Sequence, residues 1–269
     1  MKWLLLLLMM SQAFASHQQY RKRISQMKVE YDEADVLAEI KFGRELAAKI
    51  LGKYQLLSDQ KLQQYVSTLG AGLAQMIGRP ELDYHFAVIV DDDINAYAGP
   101  GGYIFITSGA IALMKNEAQL IGVLAHEIAH VNKRSVVKKL KIRGDDDSLA
   151  AGLGVLIGGA TASYRKALES ALDKAFDLLF EEGISMKEEL LADYLALLTL
   201  QAQGLNWQSY IDYLANMDKA IAKGQGEVVQ KTHPPTSERI DSLNRHVKSW
   251  DESPKEVNQT RFKKYGKVN

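Results

Sequence analysis

Two histidines four residues apart, with a glutamate directly after the first, make the run His126-Glu127-Ile128-Ala129-His130 inside a strongly apolar stretch. On an α-helix, side chains four apart share a face, with Cβ atoms roughly 5–6 Å apart. Two imidazole nitrogens can then close on one cation at about 2.0–2.1 Å. Glu127, one step round the helix, is carried beside such an ion rather than onto it. That position suits a carboxylate taking a proton from a water at the metal. A buried helix whose histidines are ordinary core residues is the competing explanation, and the five residues alone leave it open.

The metal needs more ligands than two. With no cysteine in the chain, zinc has to sit on histidines and carboxylates. A catalytic zinc site takes three protein ligands and keeps one position open. His17, His85, His233, His246 and the carboxylates are the candidates for the third ligand. Glu189 and Asp193 stand out, four apart in Glu188-Glu189-Leu190-Leu191-Ala192-Asp193 and so on one face of an apolar helix. A carboxylate facing a core is costly unless it is paired or bound to metal. Glu189 could complete a His, His, Glu set, with Asp193 accepting the N–H of a ligand imidazole and fixing its tautomer. An exposed helix face with ordinary surface charges is the plainer alternative.

These residues need rigid elements to hold them. Asn116 reads as the N-cap of the motif helix, with Gln119 as capping-box partner and Glu117 in the positive first turn. Leu120, Val123, Leu124 and Ile128 keep helical period, and no proline interrupts before Lys138-Lys139. Further helices are expected over 30–54, 59–77, 164–182, 186–203 and 206–222. Residues 84–90 read as a strand, Asp91-Asp92-Asp93 as a solvated turn, and Tyr103–Thr107 as a second strand. Its glycine- and proline-rich lead-in, Gly99 to Gly102, suggests a sheet edge open to an extended peptide, or else a simple hairpin.

Four blocks in order over residues 95–240 carry a resemblance: Asn95-Ala-Tyr-Ala-Gly-Pro-Gly101-Gly102-Tyr103-Ile104, then His126 to His130, Glu189 to Asp193, and Thr232-His233-Pro-Pro-Thr-Ser-Glu-Arg239-Ile240. The chain up to about residue 245 resembles the HtpX / CAAX-prenyl-protease family of zinc metallopeptidases, most closely its soluble periplasmic BepA/LoiP-like branch. The resemblance implies an α+β, mainly helical zincin-like domain with a small β-sheet whose edge strand borders the zinc cleft. It implies one Zn2+ on His126, His130 and Glu189, Glu127 as general base, and Asp193 behind a ligand. Asn95, Gly101, Gly102 and Tyr103 would line the substrate cleft. His233 would either shield the zinc or stabilise the oxyanion, and Arg239 would anchor its loop. A histidine shaping a Pro-Pro turn is the alternative for His233. The chain departs from the pattern at Leu191, where relatives often carry a second acidic residue.

Length and composition set the remaining limits. At 269 residues and 46% hydrophobic content the chain can bury a full core and fits one large domain. Its 33 basic and 33 acidic residues balance, so no global field argues for nucleic acid. Lys2, the apolar run Leu4–Met10 and Ala13-Phe14-Ala15 read as a signal peptide over 1–15, cleaved before Ser16. A peptidase domain over 16–245 and a polar, mildly basic tail over 246–269 follow. The uncharged, glycine-rich stretch 149–162 is too short to span a bilayer and reads as a buried or interface helix, with contact to a membrane surface the other option. The expected function is a periplasmic zinc endopeptidase acting on unfolded or misassembled envelope proteins, with outer-membrane assembly contacts as further partners. An assembly factor that binds chains in the cleft and seldom cuts is the rival, against which the intact base counts.

Overall fold

Aspartates start the first two helices. Asp32 accepts from the Asp35 N–H at 2.9 Å and begins α1 (Glu33–Lys53). Asp59 accepts from the N–H groups of Lys61 and Leu62 and begins α2 (Gln60–Ile77). Each side-chain oxygen satisfies amides that no helical carbonyl can reach. The computed structural model describes residues 31–143, 162–224, 233, 235–250, 252–254 and 258–268. The signal-peptide reading, nearly all of the 149–162 stretch, and Thr232 and Pro234 lie outside the described residues.

A three-stranded sheet follows, made of β1 (His85–Ile89), β2 (Ala96–Ala98) and β3 (Tyr103–Thr107). Its order is β1-β3-β2, with β3 parallel to β1 and antiparallel to β2. The expected edge position of the Tyr103 strand is therefore corrected: β3 is central, and the edge is β2. The glycine-proline lead-in is the turn of a β2–β3 hairpin, closed by Gly99 N–H donating to Tyr103 C=O at 2.8 Å. Gly101 and Gly102 take φ of 71° and 89° there, which only glycine adopts at low cost. The outer side of β1 is occupied: Leu57 N–H donates to Val88 C=O at 2.9 Å, Val90 N–H donates to Gln55 C=O at 2.8 Å, and the Gln63 amide bonds both backbone groups of Val88.

The rest is helical: α3 (Ser108–Leu113), α4 (Glu117–Lys133), α5 (Ser135–Leu140), α6 (Ala162–Asp177) with a wider turn over Leu178–Glu182, α7 (Met186–Ala202), α8 (Gln208–Ile221), α9 (Thr236–Val247) and α10 (Gln259–Tyr265). No helix among the described residues is long and apolar enough to cross a membrane. The motif helix α4 is buried at every residue from Glu117 to Val131, and packs on α7, whose Ala192 and Leu195–Leu198 are fully covered. α4 starts as the sequence suggests, with Asn116 accepting from Gln119 N–H at 2.9 Å, while the Gln119 side chain reaches back to Lys115 N–H at 2.7 Å. It stops sooner than expected. Arg134 adopts φ 53° and ends the helix, and α5 begins anew after it. This left-handed residue is held by its neighbours: its guanidinium lies 3.7 Å over the Tyr31 ring and 3.3 Å from Glu39.

Both ends of α4 are tied down by buried ions. At the C-terminal end, Glu39 of α1 accepts from Arg79 at 2.7 Å, and Arg79 also bonds Glu81. At the N-terminal end, Glu117 accepts from Tyr65 at 2.5 Å, from Asn258 at 2.8 Å and from both Nε and Nη2 of Arg261. The C-terminal segment is thus docked, with Phe262 of α10 buried in the core.

Candidate metal centre

Helix α4 and helix α7 bring the predicted donors together. His126 and His130 lie one turn apart on α4, with their Nε2 atoms 3.0 Å from each other. Glu189 on the first turn of α7 places Oε1 3.1 Å from His130 Nε2 and Oε2 3.5 Å from His126 Nε2. Ligands at about 2.0–2.1 Å around a tetrahedral ion are separated by roughly 3.3 Å. The two imidazole nitrogens lie near that value, and Glu189 approaches each of them through a different oxygen. Among the described residues this is the one trio of histidine, aspartate or glutamate donors close enough to hold a metal. Glu189 is 0% exposed, and its Oε1 has no hydrogen-bond partner, an expensive state for an ionised oxygen unless a cation takes the lone pair. These residues fit a divalent ion.

The surroundings set the protonation of the donors. Asp193, one turn after Glu189, lies with Oδ1 2.9 Å from His126 Nδ1. A carboxylate there takes the Nδ1–H and leaves the Nε2 lone pair pointing at the centre. Arg239 of α9 grips Asp193 with two N–H groups, Nε at 2.8 Å and Nη2 at 2.7 Å, and lies 3.4 Å from Glu189. Burial alone would raise the Asp193 pKa, but Arg239 and His126 hold it well below the usual carboxylate range. Burial likewise opposes ionisation of Glu189, yet His233, Arg239 and His130 keep its pKa well below normal. For His126, burial disfavours the charged ring, and Asp193 and Glu189 outweigh it and raise the pKa to about 10. The centre holds the carboxylates Glu127, Glu189 and Asp193 against the single guanidinium of Arg239. Positive charge is in deficit here, and a proton and a metal compete to supply it.

Glu127 is buried, faces the same recess as His126, and is not among the three donors, as its place on the helix implies. Asn95, at the start of the edge strand, also reaches the centre. Its Oδ1 accepts from Ala96 N–H at 2.8 Å and lies 3.3 Å from His233 Nε2. His233 Nδ1 lies 2.8 Å from Glu189 Oε2, so this imidazole spans the mouth of the site from the ligand carboxylate to the sheet edge.

Gly101 and Gly102 pack against backbone: a Cβ would meet Ile40 Cα at 3.1 Å and Asp83 O at 2.8 Å respectively. Tyr103 stacks on His85 with ring centroids 4.7 Å apart. Sequence reasoning missed Tyr210 of α8. Its hydroxyl donates to Asp193 Oδ1 at 2.7 Å and lies 3.1 Å from His126 Nδ1. The ring fits there because residue 122 is glycine; a Cβ on Gly122 would come within 2.6 Å of it. A buried tyrosine hydroxyl needs a partner, which was a usable signal, but the sequence does not say which one.

Comparison with known proteins extends this picture. A family profile described as Peptidase family M48 matches residues 60–247. The chain is 28% identical over 213 residues to the "Beta-barrel assembly-enhancing protease" of Escherichia coli (strain K12), covering 77% of this chain and 43% of that protein. It is 28% identical over 187 residues to the "Mitochondrial metalloendopeptidase OMA1" of Schizosaccharomyces pombe, covering 69% and 52%. It is 27% identical over 229 residues to the "Metalloprotease YcaL" of Escherichia coli (strain K12), covering 79% and 77%. The chain therefore spans less than half the length of the assembly-enhancing protease it matches.

Proposed function

The chain belongs to peptidase family M48 and is a metalloprotease, and on that footing we propose that it is a zinc endopeptidase that cuts unfolded or misassembled proteins of the cell envelope. The observation that carries the reading is the trio His126, His130 and Glu189, buried and close enough to hold one ion, with Glu127 facing the same recess. Two imidazoles and a carboxylate suit zinc, with one position left for water or substrate. When bound, the ion supplies Lewis acidity, polarising the scissile carbonyl and making water more acidic.

The protein's own groups do the rest. Asp193 and Tyr210 hold the His126 ring in one tautomer, and Arg239 keeps Asp193 ionised. Glu127 takes a proton from the attacking water, whose oxygen bonds to the carbonyl carbon. As the carbon–nitrogen bond breaks, Glu127 hands that proton to the departing nitrogen. The outer edge of β2 takes an extended chain by main-chain hydrogen bonds, which only an unfolded segment can offer. Asn95 stands at the head of that edge. His233, held between Glu189 and Asn95, shields the centre and has to swing out before a substrate carbonyl arrives. Arg239 at the base of α9 anchors the loop that carries it. The signal-like residues 1–15 and the assembly-enhancing name of the relatives support a periplasmic location and substrates or partners at the outer membrane.

The test is direct. Purified mature protein loaded with zinc should cut reduced, unfolded casein, and Glu127→Gln or a chelator should stop it. Cutting that persists in the Glu127→Gln protein contradicts the mechanism. A Glu127→Gln strain that keeps full envelope function favours an assembly factor that binds without cutting.

A further inference from the structure

His126 has a carboxylate directly behind its ring, and His130 has none. The Nδ1 of His130 is buried and, among the described residues, has no hydrogen-bond partner. With Nε2 turned to His126 and Glu189, Nδ1 carries the proton of a ring that offers Nε2 to a metal. A buried donor left unpaired is costly. Two other buried polar atoms share this state among the described residues, Glu39 Oε2 and Arg134 Nη1. Glu39, His130 and Arg134 line one cavity of about 10 Å³, bounded also by Ala98, Gly99 and Pro100 at the β2–β3 turn. That is about the room one water takes, and a buried water needs roughly two to four polar partners.

One oxygen of Glu39 is already in use. Its Oε1 accepts from Arg79 Nη1 at 2.7 Å and from Gly101 N–H at 3.3 Å. Its Oε2 lies 3.3 Å from Arg134 Nε as an ion pair, with its lone pairs still to be taken. Helix α1 comes this close because residue 43, one turn after Glu39, is glycine; a Cβ there would overlap the Pro100 carbonyl. We propose that one water in this cavity accepts from His130 Nδ1–H and Arg134 Nη1 and donates to Glu39 Oε2. Glu39 is then the positioning residue of the second imidazole, as Asp193 is of the first, acting through water instead of by direct contact. This assignment rests on the metal-centre reading above and adds to it the group that fixes the tautomer of His130.

A high-resolution crystal structure of the zinc-loaded protein tests the geometry. A water within hydrogen-bond distance of both His130 Nδ1 and Glu39 Oε2 is expected. A dry cavity, or a protein atom that takes the Nδ1–H, overturns the proposal. Zinc affinity, measured by competition with a chromophoric chelator, tests the role. Glu39→Gln should weaken binding by about tenfold, the lower end of the loss for a group standing behind a metal-bound histidine. Arg79→Gln breaks the same buried ion pair but leaves Glu39 Oε2 in place, so it separates positioning from support. Both variants should melt at lower temperature, and only Glu39→Gln should bind zinc more weakly. Equal losses of affinity in the two make Glu39 a structural anion and overturn the proposal, as does unchanged affinity in Glu39→Gln. Should either variant fail to fold, the wild-type crystal structure decides alone. Failure of the wild type to bind zinc removes the metal-centre reading itself, and this inference with it.

Discussion

Asp193→Asn isolates the contribution of a residue that touches no metal. The side chain is fully buried, lies 2.9 Å from His126 Nδ1, and receives Arg239 at 2.7 and 2.8 Å and Tyr210 at 2.7 Å. Asparagine keeps the shape and removes the charge. Two effects should separate. Arg239 is left buried with only Glu189 at 3.4 Å for compensation. Breaking a buried ion pair in this way costs about 3–5 kcal/mol of stability. The His126 ring also loses the anion that holds its Nδ1–H, and losses of this kind lower metal affinity roughly 10–100-fold. At about 1.4 kcal/mol per factor of ten, that is roughly 1.4–2.8 kcal/mol. Competition against a chromophoric zinc chelator measures the second effect, and chemical unfolding of the metal-free protein measures the first. Unchanged zinc affinity in Asp193→Asn, where His126→Ala binds none, refutes the claim that Asp193 sets the tautomer.

Three further outcomes follow from the geometry. His233→Ala should raise turnover on unfolded casein several-fold, because the imidazole lies across Glu189 and Asn95; a fall of tenfold or more in kcat would instead give this histidine a role in the oxyanion. Gly122→Ala drives a methyl to within 2.6 Å of the Tyr210 ring and should cost about 1–3 kcal/mol while weakening zinc binding; unchanged melting and affinity contradict the packing argument. Docking of α10 should weaken in acid. Burial raises the Glu117 pKa, but Arg261, Tyr65 and Asn258 outweigh it and lower the carboxyl below its ordinary value. A depressed pKa contributes stability that is complete above the ordinary value of about 4.3 and is lost as pH falls through the folded value. Limited proteolysis of the C-terminal segment between pH 7 and pH 3.5 should show this release, and Glu117→Gln should abolish its pH dependence.

The candidate metal donors were legible because helix geometry converts spacing into shared direction. His126 with His130, and Glu189 with Asp193, are each four apart, and an acidic pair in an apolar helix already demands a partner. The helix starts were equally local, as at Asn116. Misreadings arose where a local signal has two tertiary meanings. Gly99 to Gly102 marks a break in either an edge strand or a hairpin, and the three-residue β2 is too short to announce which. The sheet order came from β1 pairing with β3 across 18 residues, for instance His85 with Tyr103, which no periodicity records. The break at Arg134 is invisible in a continuing apolar pattern, because Tyr31 and Glu39, about a hundred residues earlier, stabilise its left-handed backbone. Tyr210 and the docked Phe262 likewise depend on partners far away in the chain. The helix α9 was not expected, because its few apolar residues among many polar ones leave a weak helical period, yet its buried Arg239 reaches Asp193 and Glu189.

X-ray absorption at the zinc edge, on wild-type protein loaded with one equivalent of zinc, addresses the central claim most directly. The account predicts two imidazole nitrogens with carboxylate or water oxygen at about 2.0–2.1 Å, and a changed, weaker-binding shell in Glu189→Ala. A shell that is identical in wild type and Glu189→Ala contradicts it.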